Sequence, residues 1–276
     1  MKAAAALVRG ARDRLAGLAR PASDHPASGG HGSRLRRLGL RVPELRAVAR
    51  ELARDCRALP PRETVRVAQG LVDGGTFEGG LVAFELLWRH RAAAETLTAG
   101  DLARLARGAD NWATADCFAC LVSGPAWRRG RVDDTWNARW ARSRDRWLRR
   151  IALVSTVPLN LTSRGGTGDV PRTLRVCRTL VSDHDDMVVK ALSWALREVA
   201  RRDPAAVRRF LERHRATIAP RVAREVTNKL MTGLKTPKAG RAVRARRPAE
   251  SRGVRTPATR GPTRPRSARP RPGRAG

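Results

Sequence analysis

The sequence predicts an all-α chain of stacked helix pairs, and three observations carry that expectation. No stretch alternates apolar and polar residues as a half-buried strand does. Prolines and capping residues recur at intervals suited to short helices, and Asp203-Pro204 is the strongest start, a capping carboxylate followed by proline at the first helical position. Asp145-Arg146-Trp147-Leu148-Arg149-Arg150 is also echoed at an offset of 40 by Asp185-Asp186-Met187-Val188-Val189-Lys190.

In chain order, residues 3–19 read as a helix, followed by the Pro-, Ser- and Gly-rich link 21–30. Pro43 opens a helix over 43–56, Pro61 opens 61–73, and Glu78 to Arg91 follows. Thr98 caps 99–107, and Asp110 is expected to cap a short helix over 110–122, which meets no Pro or Gly until Gly124. Further helices are expected over 132–141, 145–157, 170–182, 185–201, 204–215 and 220–232. From Lys235 onward Pro, Arg, Gly, Thr and Ser dominate, which predicts a disordered tail able to bind nucleic acid without specificity. The chain therefore divides into an N-terminal helix and flexible link (1–33), a helical-repeat domain (34–234) and a basic tail (235–276).

The offset of 40 falls near the period of about 40–47 residues of HEAT and armadillo repeats. In a solenoid, equivalent positions line one face. The expected architecture is thus a HEAT-like or armadillo-like solenoid with a basic concave face, on which Arg150 and Lys190 occupy equivalent positions.

Charge is the extreme feature of the composition. The chain has 57 Lys and Arg against 25 Asp and Glu, a formal charge of +32. The tail holds 14 basic residues and one acid, which leaves +19 on the body. Nucleic acid is the leading partner for such a surface, ahead of an anionic membrane surface. No segment approaches the ~20 apolar residues of a membrane span. The apolar run at the N-terminus is too short for a secretory signal, and its Ala- and Arg-rich pattern reads as an amphipathic helix rather than a transit peptide. A cytoplasmic, nucleoid-associated protein is expected. Of the four cysteines, Cys117 and Cys120 form a lone CxxC within a helix with no second ligand pair, so all four read as buried small residues and no metal is expected. The five histidines make no ligand-like or triad spacing.

Two helix faces stand out. At about 100° per residue, Thr114, Cys117, Phe118 and Leu121 gather on one side of the 110–122 helix. Trp112 and Asp116, spaced i and i+4, fall on the other, beside the small Ala115 and Ala119. In the 185–201 helix, Val188, Leu192, Ala195, Leu196 and Val199 form the apolar stripe, opposite Lys190, Trp194, Arg197 and Arg201. Two tryptophans and an aspartate on polar faces of a cationic protein suggest a surface that meets a polyanion. Trp88, Trp127, Trp136 and Trp140 read as packing residues.

Several segments together resemble the AlkD-like DNA alkylation repair family, alkylpurine DNA glycosylases built from HEAT-like repeats. Leu38-Gly39-Leu40-Arg41-Val42-Pro43-Glu44-Leu45-Arg46 resembles the family's LG-x-x-x-P-x-x-R helix, and Trp112-x-x-x-Asp116 its Trp/Asp helix. Trp140-x-x-Ser143-x-x-x-Trp147-Leu148-x-Arg150 is similar to its W-x-x-S…WL-x-R segment. The most specific likeness is Lys190-Ala191-Leu192-Ser193-Trp194-Ala195-Leu196-Arg197-Glu198, which resembles KA-x-x-W-x-LRE. The likeness covers about Leu38 to Leu230, with the elements in the family's order.

The resemblance implies excision of cationic N3- or N7-alkylated purines from double-stranded DNA by a monomer without metal or cofactor. It makes Trp112, Asp116 and Trp194 the catalytic cluster, with Arg150 and Arg197 supporting the DNA backbone; Lys190 joins these DNA-binding candidates as the repeat equivalent of Arg150. Taken by themselves, Arg150 and Arg197 also suit ordinary solvated arginines, and Asp116 a surface carboxylate. The chain departs from the family just upstream of Leu38, where members often carry a helix with a Tyr: it has no Tyr, and the corresponding stretch is rich in Gly and Ser. The loop 159–168 also reads as an addition. A rival reading is a non-catalytic HEAT-like protein that binds DNA or branched nucleic acid through the same basic face. Asp116 discriminates the two, because a groove that only binds phosphates gains nothing from an anion at its centre.

Overall fold

Local caps begin most helices of the computed structural model, which describes residues 2–20 and 33–237. The fifteen α-helices among those residues are α1 (Lys2–Gly17), α2 (Val42–Asp55), α3 (Pro61–Asp73), α4 (Phe77–Arg89), α5 (Arg91–Glu95), α6 (Ala99–Ala106), α7 (Trp112–Phe118), α8 (Gly124–Arg128), α9 (Asp134–Ala141), α10 (Arg146–Val154), α11 (Val157–Asn160), α12 (Val170–Thr179), α13 (Asp186–Val199), α14 (Pro204–Arg213) and α15 (Pro220–Thr232). There is no strand among the described residues, only an isolated bridge between Arg36 and Thr76. The link 21–32 and the tail from 238 lie outside the described residues.

The sequence echo at offset 40 is realised as two equivalent caps. Asp145 accepts from the Trp147 amide at 2.8 Å to start α10, and Asp185 accepts from the Met187 amide at 2.9 Å to start α13. Asp203 caps α14 through the Ala206 amide, and Thr98 with Asp101 forms a capping box on α6. Each satisfies amides that a helix start leaves unpaired.

The helices stack in two layers, as a helical-repeat solenoid does. One layer runs α2, α4, α7, α10, α13, α15, each packed on the next. The other supports it from behind: α3 packs on α4, α9 on α10, α12 on α13. A continuous apolar core fills the space between, from Leu45 and Val48 through Phe84, Phe118 and Ile151 to Leu192 and Val226. Each such buried side chain stabilises the fold by roughly 1.5–3 kcal/mol relative to exposure. The sequence sets α1 apart from this body, yet α1 packs on α3 with Ala4, Ala11 and Leu15 buried.

The segment before α2 is tied down by two acids. Glu78, itself buried, accepts the backbone amides of Leu38 and Gly39 at 2.9 and 2.8 Å. Gly39 takes φ +83°, a conformation that favours glycine. Asp110 accepts from the Ser33 hydroxyl at 2.8 Å and the Arg34 amide at 2.5 Å. The expected role of Asp110 as a helix cap is thereby corrected: Asn111 caps α7, accepting from the Ala113 and Thr114 amides at 3.0 and 3.1 Å. Asp110 is spent on a segment 76–77 residues away in sequence, which no local pattern announces.

The helix expected over 110–122 also differs. It is α-helical only to Phe118, widens into a π turn over Ala119–Ser123 and continues past Gly124 as α8. Pro125 has no amide hydrogen to donate into that turn. Gly124, lacking a side chain, lets the Ser155 carbonyl and Pro158 press against the backbone. Likewise the helix expected over 145–157 stops at Val154 and restarts as α11. The loop 161–168 beyond α11 is held by two arginines. Arg128 donates to the Pro158 and Arg164 carbonyls, both at 2.7 Å. Arg202 donates to Asn160 O at 2.8 and 2.6 Å, Thr162 Oγ1 at 2.7 Å and Gly166 O at 3.1 Å.

Candidate active site

Asp116 lies on α7, one turn beyond Trp112, and faces α10. Its carboxylate is gripped by Arg150 in a two-pronged pair, Nε to Oδ1 and Nη2 to Oδ2, both at 2.8 Å. The third guanidinium nitrogen, Nη1, donates to the Met187 carbonyl in the first turn of α13 at 2.5 Å. Arg150 therefore ties α7 to α13 across α10. Its side chain is 7% exposed and that of Asp116 18%, so the pair sits in a low-dielectric setting with one edge open.

This arrangement departs from the expected placement of Arg150 at a DNA backbone. All three guanidinium nitrogens are taken up inside the protein, because the Arg150 position in α10 is wedged between two neighbouring inner-layer helices. Its offset-40 equivalent, Lys190, keeps the outward position and pairs with Asp186 at 2.6 Å. Burial pushes the Asp116 carboxyl above its ordinary 3.8, opposed by the hydrogen bonds and positive charge of Arg150.

Trp112 is 43% exposed on the polar side of α7. Ala115 and Ala119, expected beside it on that face, are fully buried, so the open face of α7 is narrower than the helical wheel implies. Cys117, expected in the apolar stripe, is half-buried beside Asp116, while Thr114, Phe118 and Leu121 are buried as the periodicity predicts. Burial raises the thiols of Cys56, to about 11, and of Cys120, to about 12, and raises those of Cys117 and Cys177 too. None is poised as a thiolate at neutral pH. Among the described residues no group of three His, Cys, Asp or Glu side chains is placed to hold a metal ion.

On α13 the predicted apolar stripe is buried and the opposite face carries Lys190, Trp194 and Arg197, all partly exposed. The Trp194 indole N–H donates to Glu198 at 3.3 Å. Glu198 was legible as a partner, since Trp194-x-x-x-Glu198 repeats the spacing of Trp112-x-x-x-Asp116. Arg197 donates from Nε to the buried Ser193 hydroxyl at 3.3 Å, and Ser193 donates to Glu225 on α15 at 2.6 Å. Arg221 also donates to Glu225, at 3.1 Å. Among the described residues Arg197 has no direct carboxylate partner, and burial lowers its pKa. A half-buried guanidinium held by a neutral hydroxyl is suited to an incoming anion. Among the described residues no hydrogen bond or ring contact joins Trp112 to Trp194; Arg150 joins Asp116 on α7 to the start of the helix that carries Trp194. Trp127, Trp136 and Trp140 are buried, as expected of packing residues, whereas Trp88 is half-buried with the Arg164 guanidinium 5.3 Å from its ring centre.

Fold and site define an all-helical repeat protein with a carboxylate held by a buried arginine, between helices that present tryptophans. A family model described as DNA alkylation repair enzyme matches residues 11–230, and the chain belongs to that family, whose substrate is DNA. The match begins inside α1 and runs into α15, covering the whole helical stack from α2 to α14. No curated protein matches the chain. No helix among the described residues is long and apolar enough to cross a membrane.

Proposed function

We propose that this repair enzyme is a DNA N-glycosylase that hydrolyses the bond between C1′ and a cationic N3- or N7-alkylated purine in duplex DNA. Alkylation already places a positive charge on the base. When the C1′–N bond breaks, its electron pair neutralises that charge and the base leaves without prior protonation. The sugar left behind is oxocarbenium-like, as in glycoside hydrolysis generally. Water adds at C1′ and releases a proton, giving an abasic sugar and a neutral purine.

The group the protein must supply is an anion near C1′. Asp116 is suited to it: both oxygens are oriented by Arg150, and its open edge lies on the polar side of α7. Preorganisation is the gain, since the carboxylate needs no rearrangement as charge develops. Arg150 acts here as a positioning residue. Trp112 and Trp194 offer π faces to the cationic sugar and base, each attracting a cation by roughly 0.5–2 kcal/mol. Lys190 and Arg197 are assigned to phosphates on either side.

The observation that carries this reading is the carboxylate itself, held by a buried arginine with one edge left open. The test is release of N7-methylguanine or N3-methyladenine from duplex DNA by the wild type and Asp116→Asn, with duplex affinity measured in parallel. Release by the wild type, a loss of about 100-fold or more in the variant and unchanged affinity are expected. Tight, salt-sensitive binding with no release by the wild type would instead make this a non-catalytic DNA-binding protein.

A further inference from the structure

The spacing of a tryptophan and an acid four residues later occurs on α7 and again on α13, and the two helices use it differently. On α7 both oxygens of Asp116 are taken by Arg150, and among the described residues the Trp112 indole N–H makes no hydrogen bond. On α13 the acid turns to its own tryptophan: the Trp194 indole N–H donates to Glu198 Oε1 at 3.3 Å. Side chains spaced i and i+4 are neighbours on a helix surface. Trp194 and Glu198 are both half-buried.

In a chain with 57 Lys and Arg against 25 Asp and Glu, a half-buried carboxylate readily finds a cation. Among the described residues Glu198 has none within ion-pair distance. Arg197, its neighbour in sequence, turns instead to the Ser193 hydroxyl. Arg201 and Arg202 line the same hollow as Glu198, about 470 Å³ in volume, and Arg202 is spent on Asn160, Thr162 and Gly166. The Trp194 indole is thus the one side-chain donor that Glu198 holds among the described residues. Glu198 also shares surroundings with Asp116. The Cys120 thiol, in the π turn after α7, is pushed up first by burial and then by the charge of Asp116, and Glu198 adds to that rise against the guanidiniums of Arg164 and Arg150. Both carboxylates therefore reach the same point of the π turn.

Resting on the glycosylase reading, in which Trp194 faces the cationic sugar and base, we propose that Glu198 is a positioning residue of the reaction. Its carboxylate fixes the plane of the Trp194 ring through the indole N–H. An N–H that donates to an anion is also polarised by it, which leaves more electron density in the ring. A more negative π face attracts a cation more strongly. Glu198 touches no reacting atom and acts through Trp194. Its lack of an arginine partner belongs to this role, because an ion pair would drain the charge that the indole uses.

The experiment uses the full chain and has two arms, with thermal unfolding to check that every variant is folded. In the first, the indole N–H signals of the nitrogen-15-labelled protein are recorded, and the Trp194 signal is identified by its loss in Trp194→Phe. Glu198→Ala should move that signal and speed its exchange with solvent while the other tryptophans keep theirs. Glu198→Gln, which retains an acceptor oxygen, should move it less. In the second, single-turnover release of N7-methylguanine from duplex DNA is compared with affinity for undamaged duplex. Glu198→Ala should slow release by about 5- to 10-fold, within the range that a cation–π contact supplies, without weakening affinity, and Glu198→Gln should recover part of the rate. Against a Trp194→Phe background, Glu198→Ala should have no further effect, because the two residues act as one unit. An unmoved Trp194 signal in Glu198→Ala, or the same loss of rate with and without the Trp194 indole, overturns the proposal. Absence of base release by the wild type is a different result: it overturns the glycosylase reading, and the indole signals still decide whether Glu198 holds Trp194.

Discussion

Arg150 and Asp116, 34 residues apart in sequence, meet in a two-pronged ion pair whose remaining arginine donor is fixed to the Met187 carbonyl. One side chain thereby sets the position of the carboxylate and the spacing of two helices. The following expectations start from it.

Arg150→Ala strands the Asp116 carboxylate in a largely desolvated setting and frees the Met187 carbonyl. Removing one partner of a buried pair costs about 3–5 kcal/mol. Urea unfolding measures this, and a midpoint equal to the wild type would show that the pair contributes nothing to stability. Arg150→Lys keeps the charge but loses the fork, so it should fall between the two.

In the proposed mechanism Asp116 acts as an anion, so base release should rise as pH passes upward through its pKa. Burial places that acid limb above the ordinary 3.8, and Arg150 is what holds it down. In Arg150→Lys the lost prong lets the limb move to higher pH. Single-turnover release followed from about pH 4 to 8 reads the shift; a limb that stays put would separate Arg150 from the ionisation of Asp116.

Ser193→Ala leaves Glu225 Oε2 without its buried donor and Arg197 without its hydroxyl rest. An unsatisfied buried acceptor costs about 1–3 kcal/mol. Thermal unfolding should show that loss, and DNA affinity should weaken with it because Arg197 is no longer held. Affinity identical to the wild type would remove Arg197 from the DNA contacts.

Gly124→Ala tests the π turn. An added Cβ meets the Ser155 carbonyl at 2.6 Å and also Pro158, so α8 must move away from α10 and α11. Overpacking of this kind costs about 1–3 kcal/mol. Since the π turn follows directly on α7, the displacement should also slow base release at saturating DNA. Loss of stability with full activity would uncouple the turn from the site.

The sequence by itself determined the helices and the faces that matter, because those signals are local. Asp203-Pro204, Thr98 and the paired Asp145 and Asp185 caps act within three residues of themselves, and a 3.6-residue period distinguishes Trp194 from the buried Leu192 and Leu196. Four short motifs in order were enough to mark the family. Only the tertiary structure decided which charges meet. Arg149 and Arg150 are neighbours with the same chemistry, yet one pairs with Asp183 and the other with Asp116. Asp110 turned from a cap into an anchor, and equivalence to Lys190 did not keep Arg150 on the open face. The physical reason is distance: a charge is worth little in water at long range and a great deal at 2.8 Å in a desolvated pocket. Which residues come that close is settled by the packing of helices 30 to 80 residues apart, and no window along the chain contains that information.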